Sequence, residues 1–212
     1  MQKATLMKSA VALLVFLTSI AALGQDLAGN YVLHGQMEVG SELLLKPDGK
    51  FEFMLAYGAA DYWAKGTWRR DGNSVIFQSS GKKGEPFRLL RSEAGKAGQI
   101  RVWVLGQNGK GVDNIDVHLM AEGKPLDGRT DSEGMATFPD APKATGVAFE
   151  VPVYQVATSP YSIDAAHKDY YFEINGDTIT QVFFDNERIG IDGSNLIMKH
   201  WGDPMRYEKE KQ

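Results

Sequence analysis

The 212-residue chain has no cysteine, and that absence removes thiol catalysis, thiolate metal sites, redox pairs and disulfide staples together. Its core must therefore be held by apolar burial alone. It also lacks an excess of positive charge: 23 Lys and Arg stand against 27 Asp and Glu, a net charge of −4. An acidic chain without a basic run has no electrostatic footprint for nucleic acid or an anionic membrane surface. After residue 24 no window carries a sustained 3.6-residue apolar stripe, so at most one helical turn is expected, within Ser159–His167.

The one long apolar run is at the N-terminus. Lys3 and Lys8 precede Ala10 to Leu23, broken only by Thr18 and Ser19, and Ala22-Leu23-Gly24 places small residues at −3 and −1 before Gln25. This pattern predicts a cleaved signal peptide over residues 1–24 and a periplasmic or extracellular location. A run of about 14 residues is short of the roughly 20 that a spanning helix needs, and no basic stop-transfer cluster follows. With no membrane anchor left after cleavage and no cysteine at that point, lipid attachment is excluded. Removing Lys3 and Lys8 from the 23 basic residues leaves 21 against 27 acids, a net of −6.

Along the mature chain, turn signals recur at short intervals: Pro47-Asp48-Gly49, Asp71-Gly72-Asn73, Asn108-Gly109, Ser132-Glu133-Gly134, Asn175-Gly176 and Asp192-Gly193. Between them the apolar residues alternate. Phe51, Phe53, Leu55 and Tyr57 share one face, while Lys50, Glu52 and Met54 take the other. Val75 with Phe77, Phe172 with Ile174 and Ile189 with Ile191 repeat the pattern, the signature of hairpins in an all-β antiparallel fold.

The flanks and the middle read differently. Gly29-Asn30-Tyr31 on a first strand, followed by a meander of hairpins through Gly66-Thr67-Trp68, resembles the lipocalin-like (calycin-like) barrels of exported bacterial proteins. That resemblance implies an antiparallel barrel of 8–10 strands, assembled from residues 25–97 and 155–212. Residues 98–154 carry Val102, Val104, Gly109, Ile115, Val117, Leu119, Gly128, Thr130, Asp131, Gly134, Ala136 and Phe138. This order resembles the prealbumin-like (transthyretin-type) module, also called the carboxypeptidase regulatory-like domain, and implies an inserted β-sandwich used for binding or spacing. Physically, Asp131 is expected to hold backbone amides of the next turn, Gly134 to supply a positive φ, and Phe138 to return to the core. The family's hydrolase of a purine breakdown product has a C-terminal tetrapeptide and paired histidines that find no match here.

Catalytic patterns are scarce. His34, His118, His167 and His200 are in no metal-ligand spacing, and there is no G-x-S-x-G, Ser-x-x-Lys or phosphate loop. Asp61, Asp169, Asp185, Glu187 and Asp203 stand at turns or strand ends, where solvation accounts for them. No catalytic residue and no cofactor is expected.

Two features suit binding. Tyr57, Tyr62, Trp63 and Trp68 surround a Gly/Ala-rich loop that could form a carbohydrate or protein contact. Met198, His200 and Met205 offer thioether and imidazole groups of a kind that copper accepts, although small copper-stress barrels carry a C-x-x-C pair absent here. The reading is an exported, non-enzymatic binding protein that takes a small molecule or another exported protein at the barrel mouth. An envelope inhibitor or immunity-type protein acting on a hydrolase is the first alternative, and copper or other metal handling the second.

Overall fold

A computed structural model describes residues 27–81, 83–122, 125–141 and 143–211; the expected signal peptide, 1–24, lies outside the described residues. The strands run, in chain order, β1 (Gly29–Leu33), β2 (Val39–Leu45), β3 (Lys50–Tyr57), β4 (Ala60–Asp71), β5 (Ser74–Ser79), β6 (Phe87–Glu93), β7 (Gln99–Leu105), β8 (Asp116–Ala121) and β9 (Pro125–Arg129). They continue with β10 (Met135–Pro139), β11 (Ala144–Val151), β12 (Val156–Ala157), β13 (Tyr161–Ser162), β14 (Asp169–Ile174), β15 (Glu187–Asp192), β16 (Asn195–Met198) and β17 (Met205–Lys209). The one α-helix among the described residues, α1, is a short turn at Gly176–Thr180, and the Ser159–His167 segment expected to coil instead carries β13 and a turn. In that turn the Asp164 carboxylate accepts the Ala166 N–H at 2.9 Å, an Asx turn that satisfies the backbone without a helix.

The fold is all-β and its described residues divide into two compact units, a barrel from residues 27–81 and 181–211, and a second unit within 83–180. The barrel is closed in the order β1-β2-β3-β4-β5-β15-β16-β17, every neighbouring pair antiparallel. Period-2 alternation explains its wall. In β3, Phe51, Phe53 and Leu55 are buried while Lys50, Glu52 and Met54 are exposed. At the β2–β3 turn, Asp48 accepts the Lys50 N–H at 3.1 Å and Gly49 adopts φ 80°. Glu42, Glu52, Lys65, Arg69, Arg188 and Arg206 lie exposed on the wall. Apolar inside and charged outside is the reverse of a lipid-facing barrel.

Eight strands enclose a space that side chains can fill, and here they do. Tyr31, Leu43, Phe51, Phe53, Phe77 and Leu196 are all fully buried in it. The interior holds one more ring from outside the wall strands: Phe184, whose centroid lies 5.6 to 5.8 Å from Phe51, Phe53 and Phe77 in edge contacts. The segment that carries it is pinned on both sides, by Val182 N–H to Trp63 C=O at 2.9 Å and by Phe184 N–H to Ser79 Oγ at 2.9 Å.

The second unit is a pair of sheets, ordered β10-β7-β14-β6 and β12-β11-β8-β9, with β13 on β11. It corrects the boundaries expected at 98 and 154, because β6 and β14 come from the flanks. Strand β14 runs parallel to β7, and β6 pairs with β14. Their inward rings complete the core: Phe87 stacks on Phe149 at 4.2 Å, and Phe172 meets Phe149 edge-on at 4.9 Å. The barrel therefore keeps eight strands, five before the excursion and three after it.

The turn after β9 has the geometry its residues foretold. Asp131 Oδ1 accepts N–H bonds from Glu133 at 2.9 Å and Met135 at 3.0 Å, Gly134 sits at φ 75°, and Phe138 is buried. A Cβ on Gly134 would collide with the Val104 carbonyl oxygen, so the position accepts only glycine for two reasons. On the outer face of the first sheet, Arg91, Tyr171, Trp103 and Arg101 stack in a row, with spacings of 3.6, 4.5 and 4.8 Å. Arg101 then donates to Asp169 at 2.9 Å, and this carboxylate is almost wholly buried.

Candidate functional site

Antiparallel register collects one set of strand ends. Val39 pairs with Tyr57, Tyr57 with Ala60, and Met198 with Met205, while His34 N–H reaches Arg206 C=O at 3.3 Å. Loops 34–38, 58–59 and 199–204 therefore gather at one end of the barrel. The turns at 46–49, 72–73 and 193–194 close the opposite end.

This register divides the four aromatics singled out in the sequence. Tyr57 lies at the mouth and is 55% exposed; Tyr62, on the inward face of β4, packs against the barrel core beside it. Trp63 has the opposite parity and lies on the outer wall, with Lys65 Nζ 5.6 Å above its ring. Trp68 has the inward parity but sits six residues further along β4, roughly 20 Å at strand rise. There it is 7% exposed, and its indole N–H donates to Lys46 C=O at 3.0 Å, at the far end of the barrel. Only Tyr57 and Tyr62 share the mouth.

The Met198, His200 and Met205 group is divided too. Met198 and Met205 are cross-strand partners whose side chains belong to the barrel core. His200 instead lies on the loop above them, with Nδ1 3.5 Å from Glu187 Oε2. Among the described residues no group of three or more His, Asp or Glu side chains could hold a metal ion.

That same loop supplies the residue which the aromatic reading missed. Trp201 is 44% exposed and stacks on Phe53 at 5.9 Å and 26°. His200 meets it edge-on at 4.8 Å and meets Phe184 edge-on at 5.0 Å. Phe53, Phe184, His200 and Trp201 thus form a continuous aromatic stack from the filled interior out to solvent. The signal in the sequence was a tryptophan in a Gly-Asp-Pro loop between two strands, a place where a large apolar ring has no core to reach by alternation.

Below the mouth lies a short polar chain. Tyr207 Oη and Ser41 Oγ share a hydrogen bond of 2.9 Å, and Ser41 Oγ donates to Met54 C=O at 2.6 Å. Burial pushes the Tyr207 phenol up to about 12, an effect the Ser41 bond partly offsets.

Two of the other histidines, His167 and His118, make structural pairs. In the second unit, Ser92 Oγ lies 2.7 Å from His167 Nδ1, while Asp164 Oδ2 approaches the same nitrogen at 3.9 Å. A proton relay needs the serine and the carboxylate on different ring nitrogens, so this trio is not arranged as one. His118, outward as its parity required, lies between Asp127 at 2.8 Å and Glu150 at 3.8 Å. Asp169, in the second unit, is engaged by Arg101; the other acids considered in the sequence belong to the barrel unit.

No family model matches this chain, and no curated protein or solved structure does.

Proposed function

We propose that this is an exported, non-enzymatic binding protein whose ligand contacts the barrel mouth at Tyr57, Tyr62 and Trp201. The observation that carries the reading is Trp201: a half-exposed indole held over buried rings on a closed, rigid wall. Rigid aromatic side chains at a rim give large contact area at small ordering cost, which is why binding sites favour them. The closed antiparallel wall supports the likeness to lipocalin-type barrels, and the Asp131 turn supports the likeness of the second unit to an accessory prealbumin-type module.

A filled interior changes what kind of contact is favoured. Phe184 occupies the space in which an enclosed ligand would lie, so recognition falls to the surface of the mouth. An exposed aromatic rim without an enclosed cavity also suits the second reading, an inhibitor that neutralises an envelope hydrolase by surface contact.

A thermal-shift screen of the intact protein against glycans, fatty acids, small aromatics and copper ions tests the proposal. The expected result is a stabilising ligand whose shift is lost in Tyr57→Ala. A stabiliser whose shift survives both Tyr57→Ala and Trp201→Ala places the site elsewhere.

A further inference from the structure

We infer that Trp201 is a placeholder in the mouth, and that the ligand is a small molecule with a flat apolar ring that takes the place of the indole over Phe53. This rests on the mouth being the binding site. The walls of the site are aromatic faces and edges: Phe53 stacked beneath the indole, His200 edge-on at 4.8 Å, and Phe184 behind His200 at 5.0 Å. Stacked and edge-on partners together select a planar ring over a puckered one or a flexible chain. The occupant in this structure is itself such a ring.

The loop that carries that ring has one sterically unrestricted position. Trp201 stands beside Gly202, at φ 95°, in a loop that ends at Pro204 and is tied across by Gly202 N–H to Lys199 C=O at 3.0 Å. Glycine makes such a backbone position adjustable at small steric cost. The rings beneath are fixed: Phe53 and Phe184 are 1% and 0% exposed, on a closed wall and a doubly pinned segment. An indole that can be displaced from such a floor acts as an intramolecular competitor. It lowers the apparent affinity of a free ring by the fraction of time it occupies the site.

Indole is the probe, titrated calorimetrically into the intact wild-type protein and into Trp201→Ala. Indole is expected to bind Trp201→Ala about tenfold more tightly than wild type, the ratio for a placeholder seated nine-tenths of the time. Saturating indole is also expected to return the Trp201→Ala melting temperature toward that of wild type, and cyclohexanol, puckered and similar in size, to do neither. If Trp201→Ala keeps its fold and indole neither binds nor raises its melting temperature, the inference is overturned, as it is if cyclohexanol performs equally well. Should Trp201→Ala fail to fold, Trp201→Phe keeps a ring in place: indole must then bind it more tightly than wild type, because the smaller ring competes less well. Equal or weaker binding to Trp201→Phe overturns the inference. Rescue by indole alongside a ligand screen insensitive to Tyr57→Ala would keep the placeholder and remove the mouth as the natural site. Loss of rescue with a Tyr57-sensitive ligand would do the opposite.

Discussion

In the barrel every strand has a partner on each side, whereas β6 and β10 end one sheet of the second unit and β9 and β12 end the other. Closure satisfies the backbone all round and leaves only the two ends of the barrel free to vary. The second unit guards its edge locally instead. Strand β6 carries Arg88 and Arg91, and its pairing with β14 shifts register between Tyr171 and Phe172, both devices that discourage further strand addition. The two units also treat surface aromatics differently. Tyr171 and Trp103 are layered between Arg91 and Arg101, so their faces are already taken. Trp201 and Tyr57, 44% and 55% exposed at the barrel end, are not layered in that way. Availability of ring surface, more than number of aromatics, separates the barrel end from the outer face of the second unit.

The contrast between the units is strongest at the centre of the barrel. Phe184→Ala empties the centre of the barrel and is expected to cost about 3 to 5 kcal/mol in urea unfolding; a loss below about 1 kcal/mol would mean the interior is not a packed core. Arg101→Met leaves Asp169 buried without its partner and is expected to cost about 3 kcal/mol, most of it regained in the double variant with Asp169→Leu. An unrecovered loss in that double variant would show that packing of Arg101 on Trp103, and not the ion pair, is what matters.

Burial raises one phenol to about 12 in each unit, Tyr207 in the barrel and Tyr170 in the second unit, so a single substitution isolates the barrel's share of an alkaline titration. The Tyr207 phenol is raised from 10.0 to about 12 in the folded barrel. Below pH 10 both states hold the proton; between pH 10 and 12 only the unfolded chain ionises, so stability falls, by about 2 to 3 kcal/mol from this group. Tyr207→Phe is expected to flatten that part of the pH profile of barrel stability; an unchanged slope contradicts the assignment. Smallest of all, Asp131→Ala removes the acceptor of two backbone amides at an exposed turn and is expected to cost about 1 kcal/mol in the second unit. A larger loss would mean that the turn holds more than its own backbone.

Local chemistry was readable in the sequence and distant pairing was not. The alternation in β3 and the Asp131-to-Gly134 turn follow from residues within a few positions of each other, and both have the expected geometry. The insertion boundaries do not. Strand β14 lies parallel to β7 across more than sixty residues, and period-2 alternation reads the same whichever sheet a strand joins. For the same reason Trp63 and Trp68 looked like neighbours of Tyr62, although parity sends one outward and strand length carries the other to the far end. Phe184 and Trp201 escaped because they lie outside regular strands, in segments whose path only tertiary contacts determine.

The most direct test of the central claim, that the barrel mouth binds and the second unit supports, is site-specific photo-crosslinking in the producing cell. A benzophenone side chain replaces Tyr57 in one protein and Arg91 in another, both in the intact chain. The account predicts a discrete, light-dependent adduct from position 57 and none from position 91. An adduct from position 91 with none from position 57 would contradict it.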